Sequence, residues 1–385
     1  MNIISKLILT MTLTVSVLAG APLARAAGSG DFLLVVPESG PLAQLGRNAV
    51  QGAELALKTL GGGYSLKVID EMDSPQTDLD LNQVALVVGY FTESRFQEDA
   101  AGYLYFKKPV LLPFLTEAEA AGRGPSTFFR LMPTFKEQGQ FMAMEILNMK
   151  KRPRRILVVR GNGEAQASLA SAFEGTLAEP IQPPPPPPAE KGAKPVKNPA
   201  PIKAIDPKFT TVVTLDLEEA QEGLEVKELG KEGPDLIILA LNRAEALRMA
   251  PVLAASKYQK KALWGGTMLG LREVGAAFAA LEMNLHLSLP VANPADPKNK
   301  PVQEFRQRYV AAYQAHPTWI SALAYDSLTL AIKAASSGET PEEVLSFISG
   351  QTHHSLGKYD LAPGGGGTPP LAFMPVRAET LGFLP

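Results

Sequence analysis

Seven polar side chains follow apolar, β-rich runs at recurring places in this chain. Ser39 comes after "DFLLVV", Glu93 and Ser94 after "VALVVGYF", and Thr116 after "PVLLPFL". Further along, Asn162 follows "RRILVVR", Asn242 follows "PDLIILAL" and Thr267 follows "ALWGG". Hydroxyls, amides and a carboxylate of this kind hold small polar molecules through hydrogen bonds. In open α/β sheets such ligands sit in a crevice at the carboxyl ends of the strands. Helix N-termini at that edge add N–H groups and a partial positive charge, worth about 0.3–1 kcal/mol toward an anion. Ser39, Thr116 and Asn162 are also residue types that cap helices. The recurrence of polar groups at equivalent ends of two successive series points to a cleft.

Covalent and redox chemistry find little support. His286 lies in a strand-like run, and His353 and His354 are adjacent, so an extended chain points them to opposite faces. With His316 as the fourth histidine and no cysteine, no metal-ligand spacing emerges. No serine has the strand-to-helix setting of a nucleophile elbow. The opening stretch "SGPLAQLGRNAVQGAELALKTL" offers Gly40, Gly46 and Gly52 too widely spaced for a dinucleotide fingerprint, and "RGNGEA" lacks the third glycine. No catalytic residue, metal or cofactor is assigned, and the chain is not read as an enzyme.

The elements that must position these residues alternate. Apolar strand-like runs and helical patterns follow one another from "DFLLVV" to "TFFRLMP", and a second series runs from a helix over 135–149 to "NLHLSLPV". The second series includes helices predicted over 164–178, 218–231 and 243–256. Continuous β-rich runs separated by helices indicate parallel strands covered on both faces, hence two α/β lobes. The 385-residue length suits two domains. Helices over 301–315, 319–336 and 341–349, then "GKYDLA" and "LAFMPVRA", close the chain, and the late helices are expected to complete the first lobe. Ala49, Ala53, Ala56 and Leu60 recur at helical spacing on the first helix and give it a small-residue stripe for close packing on the sheet, with Gly52 expected to allow close approach to a strand.

Composition narrows the setting. A net charge of −2 argues against a nucleic-acid surface, and the absence of cysteine removes disulfides and lipid attachment through a thiol. Lys6, the apolar "LILTMTLTVSVLAG" and "ARA" before Ala27 read as a cleaved signal peptide over 1–26, too short for a span of about 20 apolar residues. A soluble, periplasmic mature chain is expected, with no stable membrane insertion. Residues 180–207, "PIQPPPPPPAEKGAKPVKNPAPIKAIDP", cannot continue a helix or join a sheet and read as a surface insertion, with a partner-docking peptide as the alternative. The 364–367 glycine run reads as a turn between the last two strands.

The order of "SGPLAQLGRNAVQGAELAL", "VALVVGYFTES", "KKPVLLPFLTEAE", "FFRLMPT" and "PDLIILALNRAEALRMAPVLAAS" resembles the type I periplasmic binding proteins, in particular the leucine/isoleucine/valine-binding solute receptors of ABC transporters. The resemblance covers the mature chain except 180–207. It implies two doubly wound parallel-sheet lobes joined by three hinge crossings, near Pro133 and Thr134, Pro290 and Val291, and Gly357 and Lys358. Lobe one then comprises 27–133 and 291–357, and lobe two 134–290 and 358–385. It also implies a small-molecule ligand enclosed as the lobes close, an ABC permease as partner, and a monomer.

In relatives a serine and a threonine of lobe one hold the ligand carboxylate. Thr116 falls at the threonine position, while the serine position falls on Glu93 with Ser94 beside it. Thr267 stands in the place of the acid that meets the ligand ammonium, Asn242 and Ala165 stand where tyrosines are common, and Leu45 replaces an aromatic. An ammonium buried without a carboxylate would lose several kcal/mol of compensation. The expected ligand is therefore small and polar, amino-acid-like, an amide or a related compound, rather than an ordinary branched-chain α-amino acid. Either Glu93 or Ser94 faces it. The competing expectation is a binding-protein fold that serves as a sensor or interaction module without transport.

Overall fold

A computed structural model describes residues 30–385 apart from 62, 74–79, 117–126, 179–209, 291–297, 339, 363–366 and 369–370. The signal-peptide expectation, the proline-rich insertion and Val291 lie outside the described residues.

The first sheet contains β1 (Asp31–Val36), β2 (Leu66–Asp70), β3 (Val84–Gly89), β4 (Val110–Leu112) and β5 (Phe128–Arg130), in the order β2-β1-β3-β4-β5, all parallel. β1 is apolar from Phe32 to Val36 because both of its faces are covered. Phe32, Leu34 and Val36 share one core with α1 (Ala43–Leu60), whereas Leu33 and Val35 meet Phe96 and Tyr103 of α2 (Glu93–Tyr105) in another. The expected α/β class is borne out, and the helices expected near 42–60 and 95–106 begin within two residues of their predicted starts.

The second sheet repeats the plan. After α3 (Phe135–Asn148) come β6 (Arg155–Arg160), α4 (Glu164–Ala178), β7 (Thr211–Asp216), α5 (Leu217–Glu222), β8 (Leu236–Ala240), α6 (Arg243–Ala255), β9 (Ala262–Gly265), α7 (Arg272–Ala280) and β10 (Asn284–Leu289). The parallel order is β7-β6-β8-β9-β10, the same winding as in the first sheet. Two helices depart from expectation. The span predicted as 218–231 is helical only to Glu222, because Gly223 ends it, and a short 3-10 turn follows at Lys227–Leu229. The sequence reading passed over α7, whose Val274 and Phe278 are nonetheless buried.

The remaining helices return to the first sheet. α8 (Lys300–Tyr313) places the Tyr309 hydroxyl on Gln51 Oε1 of α1 at 2.6 Å. α9 (Trp319–Ala335) is buried except at Ala322 and Lys333, because it lies between the sheet, α1 and α10 (Pro341–Ser349). Of the expected stripe, Ala49, Ala53 and Ala56 are buried but Leu60 is exposed, and the close approach at Gly52 is to α9 rather than to a strand. A methyl group built on Gly52 would lie 2.0 Å from the Ser321 carbonyl oxygen, so only glycine fits there.

A small antiparallel sheet then forms from β11 (Thr352–His354), β12 (Lys358–Leu361) and β13 (Gly367–Thr368). Its anchor is Asp326 of α9, buried to 1%, which accepts hydrogen bonds from the Leu356 and Gly357 amides at 2.8 and 3.1 Å and from the Tyr359 hydroxyl at 2.6 Å. Gly357 and Lys358 therefore stay beside α9. The chain passes to the second sheet between β13 and β14 (Ala372–Pro375), which pairs antiparallel with β10. Gly367 belongs to a strand of its own rather than to a turn. Pro133 and Thr134 lie between β5, which ends at Arg130, and α3, which begins at Phe135.

Candidate functional site

Both sheets reverse their winding between the first and third strands, β1/β3 in one and β6/β8 in the other, which are the points where open α/β sheets take ligands. The candidate residues occupy matching places around these points. Ser39 follows β1 and Asn162 follows β6; Glu93 and Ser94 follow β3, and Asn242 follows β8; Thr116 follows β4 and Thr267 follows β9. Leu45, half-buried, lies in the first turn of α1.

In the first lobe, Ser39 is exposed and caps no helix, since Leu42 stands at the N-cap of α1 without a side-chain bond. Its hydroxyl instead bonds Asp70 at the end of β2. Slight burial would push the Asp70 carboxyl up, but the bonds from Ser39 and from the Met72, Glu38 and Ser39 amides outweigh it and hold the group below its ordinary range. Ser94 is exposed, and Glu93 and Thr116 are half-buried.

The turn that leads into α2 is unusual. Tyr90 has φ of 69°, a left-handed conformation that costs a non-glycine residue about 1–3 kcal/mol and is found mostly where the surroundings enforce it. Here the Tyr90 amide donates to Val35 O at 2.8 Å, and its buried hydroxyl donates to Asp99 at 2.8 Å and lies 2.5 Å from the Tyr103 hydroxyl. Burial pushes both phenols well above their ordinary range, so they remain neutral donors.

That turn delivers Phe91 and Thr92 to the strand end. Their amides donate to Glu71 Oε2 and Oε1 at 2.9 and 2.6 Å. Glu71 is only 2% exposed and follows β2, so it reaches across the end of β1 to the end of β3. Burial pushes its carboxyl upward, opposed by the Phe91 and Thr92 bonds and the Arg95 charge. Beside it the rings of Phe91 and Phe114 stack, with centroids 4.2 Å apart and planes 18° from parallel.

In the second lobe much of the polar equipment is engaged within the chain. Asn242 caps α6 in a reciprocal capping box with Glu245. Glu245, buried to 5%, also accepts from the Asn162 amide at 3.2 Å and from Gln166 at 3.3 Å. Its carboxylate fills the space over Gly161, where a methyl group would lie 2.1 Å away. The Asn162 side chain is exposed and donates to Glu218 at 2.6 Å. Thr267 is buried, and its amide and hydroxyl both donate to Gln138 Oε1, at 2.9 and 3.1 Å. Gln138, fully buried, donates in turn to Pro133 O at 3.1 Å, which links the first crossing to the end of β9.

Sequence reasoning missed Glu71, Phe91, Phe114, Gln138 and Glu245. The N-x-x-E spacing from Asn242 to Glu245 is a readable capping box. Phe91 and Phe114 were within reach too, each two residues before a candidate residue. For Glu71 and Gln138 no sequence signal exists, because their partners are distant in the chain. The histidines lie elsewhere: His353 is buried and bonds Ile348 O at 2.8 Å, while His354 on the opposite strand face is exposed. Among the described residues no cluster of three or more His, Cys, Asp or Glu could hold a metal, and no helix is long and apolar enough to cross a membrane. A groove of about 470 Å³ at the C-terminal end of α6, lined by Leu224, Pro251 and Val252 among others, contains none of the candidate residues.

No protein-family model and no curated protein matches this sequence. Solved structures do. A branched-chain amino acid ABC transporter protein from Rhodospirillum rubrum is 18% identical with a TM-score of 0.67, over 91% of this chain and 98% of that one. A substrate-binding protein from Desulfitobacterium hafniense in complex with leucine is 16% identical, TM-score 0.66, over 92% and 99%. A solute-binding protein from R. palustris in complex with benzoate is 16% identical, TM-score 0.63, over 90% and 93%. The fold is that of the type I periplasmic binding proteins.

Proposed function

We propose that this chain is a solute-binding receptor. It closes two lobes on a small polar molecule, amino-acid-like, an amide or a related compound, and delivers that molecule to an ABC permease. On this reading it is exported by a cleaved leader over 1–26 and works as a periplasmic monomer without catalysis. The observation that carries the proposal is the pairing of polar residues at matching strand ends. Ser39, Glu93, Ser94 and Thr116 stand on one switch-point edge, and Asn162, Asn242 and Thr267 on the other. Leu45 adds an apolar contact from α1. The solved proteins of the same fold with leucine or benzoate bound make a small-molecule ligand the natural reading. Hinge closure around a ligand lets a membrane partner distinguish the loaded from the empty receptor.

The ligand contacts are shared unequally. Thr267, Asn242 and Asn162 already serve Gln138, Glu245 and Glu218, so recognition falls chiefly on the first lobe. A melting screen of the mature chain against amino acids, amides, polyamines and aromatic acids tests the function. A ligand present at a hundred times its dissociation constant adds about 2.7 kcal/mol of stability, which raises the melting temperature of a chain of this size by a few degrees. If no compound moves the transition, the receptor reading is wrong and the sensor or interaction module takes its place.

A further inference from the structure

An anion is held at a sheet's switch point by the amides that open the following helix and by the positive end of that helix. In the first lobe this position is taken by the chain itself. Glu71 spans the end of β1 and accepts the Phe91 and Thr92 amides at 2.9 and 2.6 Å. A second carboxylate, Glu93, opens α2. Among the described residues, the guanidinium groups nearby pair with acids or with the chain, although the buried Nε of Arg95 lacks a partner. Arg95 pairs with Glu98 at 2.5 Å and Asp99 at 3.3 Å, Arg130 pairs with Glu137 at 2.7 Å, and Arg47 bonds Gln44 at 2.7 Å. A ligand carboxylate arriving here would meet like charge, with two of the amides that would have held it already used. At the same edge the rings of Phe91 and Phe114 stack, Phe114 buried in the core and Phe91 packed against it but only partly buried. A third ring extends such an offset stack favourably.

We propose that the Glu71 clamp and the Phe91–Phe114 stack select a ligand with a flat, aromatic body and a neutral or positively charged polar group, and that they reject carboxylates. The proposal rests on the receptor reading and names the ligand class for that same site. It runs opposite to the benzoate found in one protein of this fold.

Three probes that share one ring separate the possibilities: benzamide, benzylamine and benzoate, titrated calorimetrically into the mature protein at neutral pH. The expected result is that benzamide or benzylamine binds at least tenfold more tightly than benzoate. Cyclohexanecarboxamide, equal in bulk but not flat, is expected to bind at least fivefold more weakly than benzamide. Phe91→Leu, which keeps the apolar volume, should erase that second difference while leaving the melting temperature of the free protein near that of the wild type. Benzoate binding as tightly as benzamide overturns the charge selection, and equal binding of the two amides overturns the aromatic stack. If none of these probes binds while another compound of the broader screen raises the melting temperature, the inference is wrong and the receptor reading stands. If nothing shifts melting, both fall.

Discussion

Arg130 and Glu137 meet where the chain leaves the first sheet. The guanidinium bonds both carboxylate oxygens, at 2.7 and 3.2 Å, and also the Met132 carbonyl at 2.5 Å. Burial alone would push the Glu137 carboxyl up; the hydrogen bond and charge of Arg130 outweigh it and hold the group below its ordinary 4.5. A carboxyl depressed in the folded state stabilises above its unfolded value and loses that contribution as pH falls through the folded one. Glu137→Gln should therefore cost about 1–3 kcal/mol at pH 7. The gap between wild type and variant should narrow below pH 4.5, which melting curves at stepped pH will show. A gap that stays constant into acid would mean that the ion pair contributes nothing. The same physics explains why this residue was readable only in part. Thr134 and Glu137 form a capping box at a spacing visible in the sequence, but the Arg130 pairing depends on the turn between β5 and α3.

At the scale of elements, α1 against α9 is the joint that lets late helices complete the first lobe. Gly52→Ala should destabilise by about 1–3 kcal/mol through overpacking, even though alanine favours helix by up to about 1 kcal/mol. In urea this appears as a lower midpoint with an unchanged slope. An unchanged midpoint would mean that the helices part without cost.

The joint also shows what was legible. The stripe Ala49, Ala53 and Ala56 announced close packing at helical spacing, and continuous runs such as "DFLLVV" announced strands covered on both faces. The helix that Gly52 meets, more than 250 residues away in the chain, was not expected there; the stripe was expected to pack on the sheet. α7 escaped notice because "LREVGAAFAA" is short and carries few large apolar residues. The predicted 218–231 helix failed because its glutamates and lysines suit helices everywhere except at Gly223. At the site the residue types were right for strand ends, but their engagements were hidden. Nothing local says that Thr267 faces Gln138, or that Glu71 crosses β1 to reach the amides of Phe91 and Thr92.

For the molecule as a whole, two sheets wound alike, β2-β1-β3-β4-β5 and β7-β6-β8-β9-β10, place matching loops on matching edges, and on the receptor proposal the crossings between them are the hinge. The buried Gln138 bonds Pro133 at the first of these crossings and Thr267 at the end of β9. The most direct test of the receptor account is small-angle X-ray scattering on the mature protein, free and saturated with the compound that gives the largest melting shift. The account predicts a smaller radius of gyration in the bound state, with the scattering of a single chain in both. A bound protein whose radius of gyration equals that of the free one would contradict closure.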